Sequence, residues 1–239
     1  MKTKTYNNGL FIFRRDHRLN DNTGLIHLSK HCKTIIPIFI FTPEQITDKN
    51  KYRSNNALQF MIESLFELRD TIAKKGGRLL FFFGDNENVI EKCIKQMDID
   101  VVGYNLDYTP YAIQRDTSIV KLCTKHGVQL ETAFDYYLHE PNTITNTSGE
   151  TYKKFTPYYD KATTQYKVDV PNNTTISNFA YLTHPQHVSL EQIWTKYVDE
   201  NKLLAVHGGR KEALKKMRVI VYPSDRNDLT TQTSMLSAY

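Results

Sequence analysis

Cysteine is scarce in this 239-residue chain, and the three present, Cys32, Cys93 and Cys123, form no CxxC spacing. Neither a disulfide framework nor a zinc site is suggested, and a reducing compartment is expected. Long apolar runs are missing as well. The longest, Ile35 to Phe41, is interrupted by Pro37 and falls far short of the roughly 20 residues a spanning helix needs. The apolar Leu10 to Phe13 cluster is too short for the core of a signal peptide. An intracellular protein without a membrane segment is expected, with cytoplasm and nucleus not distinguished. The ten glycines compose neither GxGxxG nor GxxxxGK[ST], and neither GxSxG nor HExxH occurs. Dinucleotide-fingerprint, P-loop, hydrolase and zinc-protease readings fail on those counts. The eight histidines are read as scattered, with no helically spaced pair accompanied by a carboxylate, so no metal site is expected.

What is present is the composition of an ordinary globular protein, 40% hydrophobic and 24% charged, which gives ample material for a core. Asn201 to Tyr239 holds seven lysines and arginines against three acids, so much of the net charge of +5 lies at that end. A run such as RKEALKK is first of all the solvated face of a helix, and argues only weakly for a polyanionic partner.

From Gly9 to about Leu130, apolar runs alternate with helical patterns. Leu10–Phe13, Ile35–Phe41, Arg78–Phe83, Asp100–Asn105 and Val128–Leu130 read as strands, each apolar enough to be covered on both faces. Between them, Leu58, Met61, Ile62, Leu65, Phe66, Leu68 and Ile72 recur at spacings of three and four, which predicts a helix over Arg53–Lys75 stopped by Gly76 and Gly77. Asn86–Met97 and Thr109–His126 behave similarly, the latter closed by Gly127. Cys93 and Cys123 fall on apolar stripes of these helices and read as small core residues. Regular alternation implies an α/β fold, a doubly wound five-stranded parallel sheet of Rossmann-like type. A connector with little periodicity follows, and helical pattern returns over Ser189–Val206 and Gly209–Met217. No internal repeat is present. The final TSMLSAY reads as the start of a helix, with Thr233 or Ser234 as its N-cap.

Three constellations carry chemistry. In FIFRRDHRLNDN, a hydrophobic strand runs into Arg14, Arg15, Asp16, Arg18, Asp21 and Asn22, placing charge at the carboxyl edge of a sheet, where open α/β sheets bind ligands. The same residues suit an ion-pair cluster tying strand end to helix start, with Asp21 or Asn22 as the helix cap, and that structural role is favoured over catalysis. In YNLDYTPYAIQRD, Asn105, Asp107 and Tyr108 reach the same edge, and together the two segments suggest a pocket for a planar ligand or a capped turn under tyrosines. In YKKFTPYYDK, Tyr152–Lys161, aromatics alternate with lysines as in single-strand nucleic-acid grooves, but packing onto the domain is the favoured reading.

Taken in order, these segments resemble the photolyase and cryptochrome family. FRRDHRLNDNTGL is similar to its RxDLRxxDNxAL signature, NLDYTPYAIQRD to its mid-domain segment, and DYYLHEPNTITNTSGETYKKFTPYY to its DxxLxxP and YxxFTPF stretch. HGGRKEALKKM is similar to its GGxxxALxxL helix, and YPSDRNDLTTQTSMLSAY to the entry of its flavin domain. The resemblance implies an α/β antenna domain over residues 1–132, a connector over 133–188 and the beginning of an all-helical FAD-binding domain over 189–239. It implies FAD as cofactor, with Tyr222, Thr233, Ser234 and Ser237 at a partial flavin site, and Arg226 near the phosphates of DNA carrying pyrimidine dimers. Arg14, Asp16, Arg18, Asn105 and Asp107 would line an antenna pocket.

The implied activity is that of a deoxyribodipyrimidine photolyase, a lyase that uses light to repair DNA. This chain alone is expected to be inactive, because most of the flavin domain lies outside its similarity; it reads as a split or truncated half. The lone Trp194 is expected to be a packing residue. His17 stands where the family has leucine, and Tyr158 where it has the second phenylalanine of FTPF. Tyr111 and Ala112 replace an Asn-Glu pair of folate-using members, which speaks against a methenyl-folate antenna and leaves a deazaflavin, a flavin or no antenna. The alternative functions are a cryptochrome-like light-sensing module and a stand-alone chromophore- or nucleotide-binding domain. Oligomeric state is left unassigned.

Overall fold

A computed structural model of the chain describes residues 5–221. Its elements run β1 (Tyr6–Phe13), α1 (Thr23–His31), β2 (Cys32–Phe41), α2 (Pro43–Ile46), α3 (Asn55–Ala73), β3 (Leu80–Phe83), α4 (Asn86–Gln96), β4 (Val101–Asn105), α5 (Pro110–His126), β5 (Gln129–Ala133), α6 (Phe155–Gln165), α7 (Leu190–Tyr197) and α8 (Arg210–Val221). The five strands form one sheet in the order β3-β2-β1-β4-β5. The registers are parallel, with Leu10 opposite Val102, Val102 opposite Leu130, and Phe39 opposite Phe81. The expected doubly wound α/β sheet is therefore present. Beyond β1 the chain adds strands on one side through β2 and β3, then returns to the other side at β4. The topological switch point lies between β1 and β4.

The chain forms two compact units, one on residues 1–35 and 93–176, the other on 36–92 and 177 onward. In the first, Phe11, Phe13, Leu25, Leu28, Val101, Val102 and Ile119 are buried as α1 and α5 cover the strands. Asn22 caps α1, its side chain accepting from the Leu25 amide, which chooses between the two expected caps. Thr109 caps α5 in the same way, and Gly127 ends it in the left-handed region at φ 68°.

In the second unit, α3 buries Leu58, Ile62, Leu65, Leu68 and Ile72, the predicted stripe, between the Ser54 cap and the Gly76 turn. Helix α7 packs on α3 and opens with a capping box between Ser189 and Gln192. Trp194 meets Phe66 at 6.1 Å between ring centroids, the packing role expected of it.

Three expectations need correction. Strand β5 is not covered on both faces: most of Gln129–Ala133 is exposed or half-exposed, as an edge strand with polar residues permits. Within the connector, Phe155–Gln165 forms α6, whose weak apolar periodicity hid it; only Ala162 of that helix is buried. The helical pattern over Ser189–Val206 yields only Leu190–Tyr197, because Val198 turns extended.

Candidate functional site

The carboxyl ends of β1 and β4 meet at the switch point, and the side chains there turn to one another. Asp16 is 1% exposed and accepts from the Arg14 amide (2.8 Å), Asn22 Nδ2 (3.1 Å) and Asn105 Nδ2 (2.6 Å). Asn105, fully buried, also donates to Asn22 Oδ1 and accepts the Gly24 amide at 3.0 Å, binding the end of β4 to the first turn of α1. Every polar atom of these two amides and this carboxylate with a named partner finds it inside the protein, which is how buried polar groups avoid a desolvation cost.

The arginines take different positions around this core. Arg14 donates from Nη1 to Asp116 Oδ2 (3.2 Å) and to the Asn105 carbonyl, while its Nη2 stands 2.8 Å from Asp116 Oδ1. Its guanidinium lies 3.8 Å over the Tyr104 ring, so stacking and ion pairing act together. Arg18 grips Asp135 through both guanidinium nitrogens, at 2.8 and 3.0 Å, and reaches the Asp21 carbonyl at 2.7 Å. Asp21 has a left-handed backbone, φ 54°, held by its paired backbone and side-chain bonds with Asn172. Arg15 instead is open to solvent and 3.5 Å from Asp107, whose other oxygen accepts the Tyr108 and Thr109 amides.

Titration follows the same burial. Desolvation holds His17 below the usual histidine range despite the nearby Asp16 charge, so the imidazole is neutral at pH 7. Burial, reinforced by Asp16, pushes Tyr136 upward and keeps its phenol protonated.

An open cleft lies beside this network, reached from the loops after β4 and β5. It has a volume of about 970 Å³ and is lined by Tyr108, Tyr136, Tyr137, Tyr152, Tyr158, Tyr159 and Tyr166, with Leu138, Pro141, Ile144 and Val168. The rings of Tyr108 and Tyr137 meet edge to face at 5.1 Å, and a hydrogen bond between the two phenols pushes Tyr137 up to about 12. An aromatic wall with polar groups among it, His139, Glu140, Asn142 and Lys167 included, suits a flat, partly apolar ligand with polar substituents.

Of the residues the sequence singled out, Arg14, Asp16, Arg18, Asn105 and Asp107 are brought together, with their polar atoms directed at partners in the protein. Tyr222, Arg226, Thr233, Ser234 and Ser237 lie outside the described residues. The cleft tyrosines at 136, 137, 158, 159 and 166 were not singled out as a ligand wall, although the paired tyrosines at 136–137 and 158–159 were a visible signal. The packed reading of YKKFTPYYDK is corrected: Phe155 is 74% exposed, and Tyr158 and Tyr159 also present their rings to the surface. Also corrected is the reading of scattered histidines, because His27 and His31 are four apart on α1 and β5 brings Glu131 to them. A carboxylate a hundred residues distant leaves no local motif.

In the second unit, the HGGRKE segment is seated on α3. Glu63 accepts the Gly208 amide at 2.7 Å, Ser64 Oγ the Gly209 amide at 2.9 Å, and Glu67 the Lys211 amide, so α3 receives the free amides that open α8.

The DNA photolyase family model matches residues 10–175. Among curated relatives, the deoxyribodipyrimidine photo-lyase of Synechococcus is 29% identical over 150 residues, covering 63% of this chain and 31% of its own. Cryptochrome-1 of Anopheles gambiae is 29% identical over 62% of this chain and 29% of its own. A solved archaeal photolyase of Sulfolobus tokodaii, described as having two FAD molecules with implication of a novel light-harvesting cofactor, superposes with a TM-score of 0.75. It is 36% identical, over 87% of this chain and 45% of its own. The chain spans about half the length, or less, of the curated relatives it matches.

Proposed function

Because the chain belongs to the DNA photolyase family, we propose that it is the N-terminal part of a deoxyribodipyrimidine photolyase-like protein that serves light-driven repair of pyrimidine dimers in DNA. The observation that carries this reading is the match to the family over residues 10–175, joined to a 36% identical solved photolyase that superposes over 87% of the chain. In this reading, residues 1–132 are the antenna domain, 133–188 the connector and 189–239 the beginning of the FAD-binding domain. Flavin, when bound, supplies the light-excited electron for splitting the dimer. Tyr222, Thr233, Ser234 and Ser237 would contribute part of its site and Arg226 a contact to DNA phosphate, with the remainder coming from an FAD-binding half.

Residues 1–132, with the connector that follows, serve the antenna. The polar network fixes the ends of β1 and β4 and leaves the tyrosine cleft beside them open, with size and lining that fit a planar chromophore. A flavin or deazaflavin fits this aromatic wall, and Arg15, 65% exposed and paired with Asp107, is the member of the charged cluster most open to solvent at that edge.

Two measurements test the reading. Mixed with an FAD-loaded C-terminal half from a family member and illuminated, the chain should restore loss of thymine dimers from irradiated DNA; failure with every such half would sink the repair role. Separately, the chain alone should take up FAD or a deazaflavin with a shifted visible spectrum, and Tyr137→Ala with Tyr159→Ala should weaken uptake about tenfold or more, since each lost aromatic stack is worth about 1 kcal/mol.

A further inference from the structure

Away from the polar network and the tyrosine cleft, α1 carries His27 and His31 one helical turn apart, on the same face. Glu131 reaches that face from β5, within the same compact unit. His27 Nε2 and His31 Nδ1 each lie 3.3 Å from one and the same carboxylate oxygen, Oε2. The two rings stand edge to face at 4.4 Å, and one donor atom from each of the three residues falls within 4.8 Å of the others.

That spacing is loose for direct ion pairing, where N–H to carboxylate contacts close to about 2.7–2.9 Å. The two nitrogen–oxygen edges have the spacing of ligands around a small ion, and all three donors lie within 4.8 Å of one another. With metal–nitrogen and metal–oxygen bonds of about 2.0–2.1 Å, donors at tetrahedral corners are about 3.3–3.4 Å apart. Two imidazoles and one carboxylate are also the donor set of borderline transition metals; calcium and magnesium favour all-oxygen shells.

We propose that His27, His31 and Glu131 form a binding site for a divalent transition-metal ion of the zinc type, with water in the fourth position. The side chains are 55%, 40% and 18% exposed, so the ion enters without rearrangement of the core and its fourth position faces solvent. Coordination would tie α1 to β5 across a separation of 100 residues, stabilising what is, among the described residues, an edge of the sheet. The site is independent of the photolyase reading.

The test is titration of the chelator-stripped chain with zinc chloride by calorimetry, and with cobalt(II) by visible absorption. The expected result is uptake of one equivalent, a tetrahedral cobalt spectrum without a thiolate charge-transfer band, and a zinc-dependent rise in Tm. His27→Ala, His31→Ala and Glu131→Gln should each weaken zinc binding about a hundredfold, since even outer-shell changes cost about 10- to 100-fold. His126→Ala should leave it unchanged. Circular dichroism reports folding of each variant, and His27→Gln, at the most exposed ligand, gives the same reading should His31→Ala unfold. Absence of saturable one-to-one uptake by the chain, or uptake that survives loss of both histidines, would overturn the site.

Discussion

Asp16 illustrates how much one buried side chain can hold. Removing its carboxylate in Asp16→Ala takes the acceptor of the Arg14 amide and one acceptor of Asn105 Nδ2, while Asn22 Nδ2 keeps the Asp16 and Arg18 carbonyls. The expected loss is about 3 kcal/mol, from leaving one buried donor unmade and another with fewer acceptors, and urea unfolding measures it. His17 beside it gives a pH dependence whose sign is fixed by burial. Its folded-state pKa is lowered, as are those of His184 and His187, so the unfolded chain binds more protons in mildly acid solution. Stability should be full above the unfolded histidine value of about 6.5 and decline as pH falls from there through the folded values. His17→Leu, the residue the family signature has at that place, should flatten this decline; an unchanged pH profile by chemical denaturation would count against a neutral, buried imidazole. The cysteines make the converse case of inertness. Burial pushes Cys93 up to about 12 and Cys123 to about 11, and Cys32 is fully buried. A thiol reagent should therefore find almost no reactive cysteine in the folded chain and all three in urea.

At the scale of elements, the joint between α3 and the start of α8 depends on close approach. A Cβ at Gly208 would run into the Phe60 carbonyl, with backbone rather than a flexible side chain in the way. Gly208→Ala should cost about 1–3 kcal/mol by forcing the segment off α3. Limited proteolysis should then cut near residues 205–211 faster than in the parent chain, and equal cutting would mean the seat on α3 is not needed. Helices with strong apolar periodicity were legible: Asn55–Ala73 and Pro110–His126 lie within two residues of their expected bounds, because caps and glycine stops are written locally. Helix α6 was not legible, since it buries little of either face and leaves no stripe to detect. The exposure of β5 was hidden for a related reason, as Val128–Leu130 is apolar enough to pass for a central strand while edge position is set by strand order.

For the molecule as a whole, family membership and the parallel sheet make one statement about layout, with polar side chains from the ends of β1 and β4 occupying the switch point. In the proposed antenna role, a ligand would enter by the neighbouring tyrosine cleft. Arg15, at the solvent side of that edge, should matter to a bound chromophore more than Arg14, whose loss acts on the fold. Arg15→Ala should lower flavin uptake with little change in urea midpoint, and Arg14→Ala should do the reverse; equal effects on both quantities would refute the separation.

The sequence by itself determined the alternation of strand and helix, the stops at Gly76 and Gly127, and the family, since each is encoded in short collinear stretches, and it narrowed the cap of α1 to Asp21 or Asn22. Only the tertiary structure decided what the charged residues face. Asp16 meets Asn105, Arg18 meets Asp135, and Glu131 meets His27 and His31 across about a hundred residues of chain, and such distant partners are chosen by strand order and helix packing rather than by local pattern.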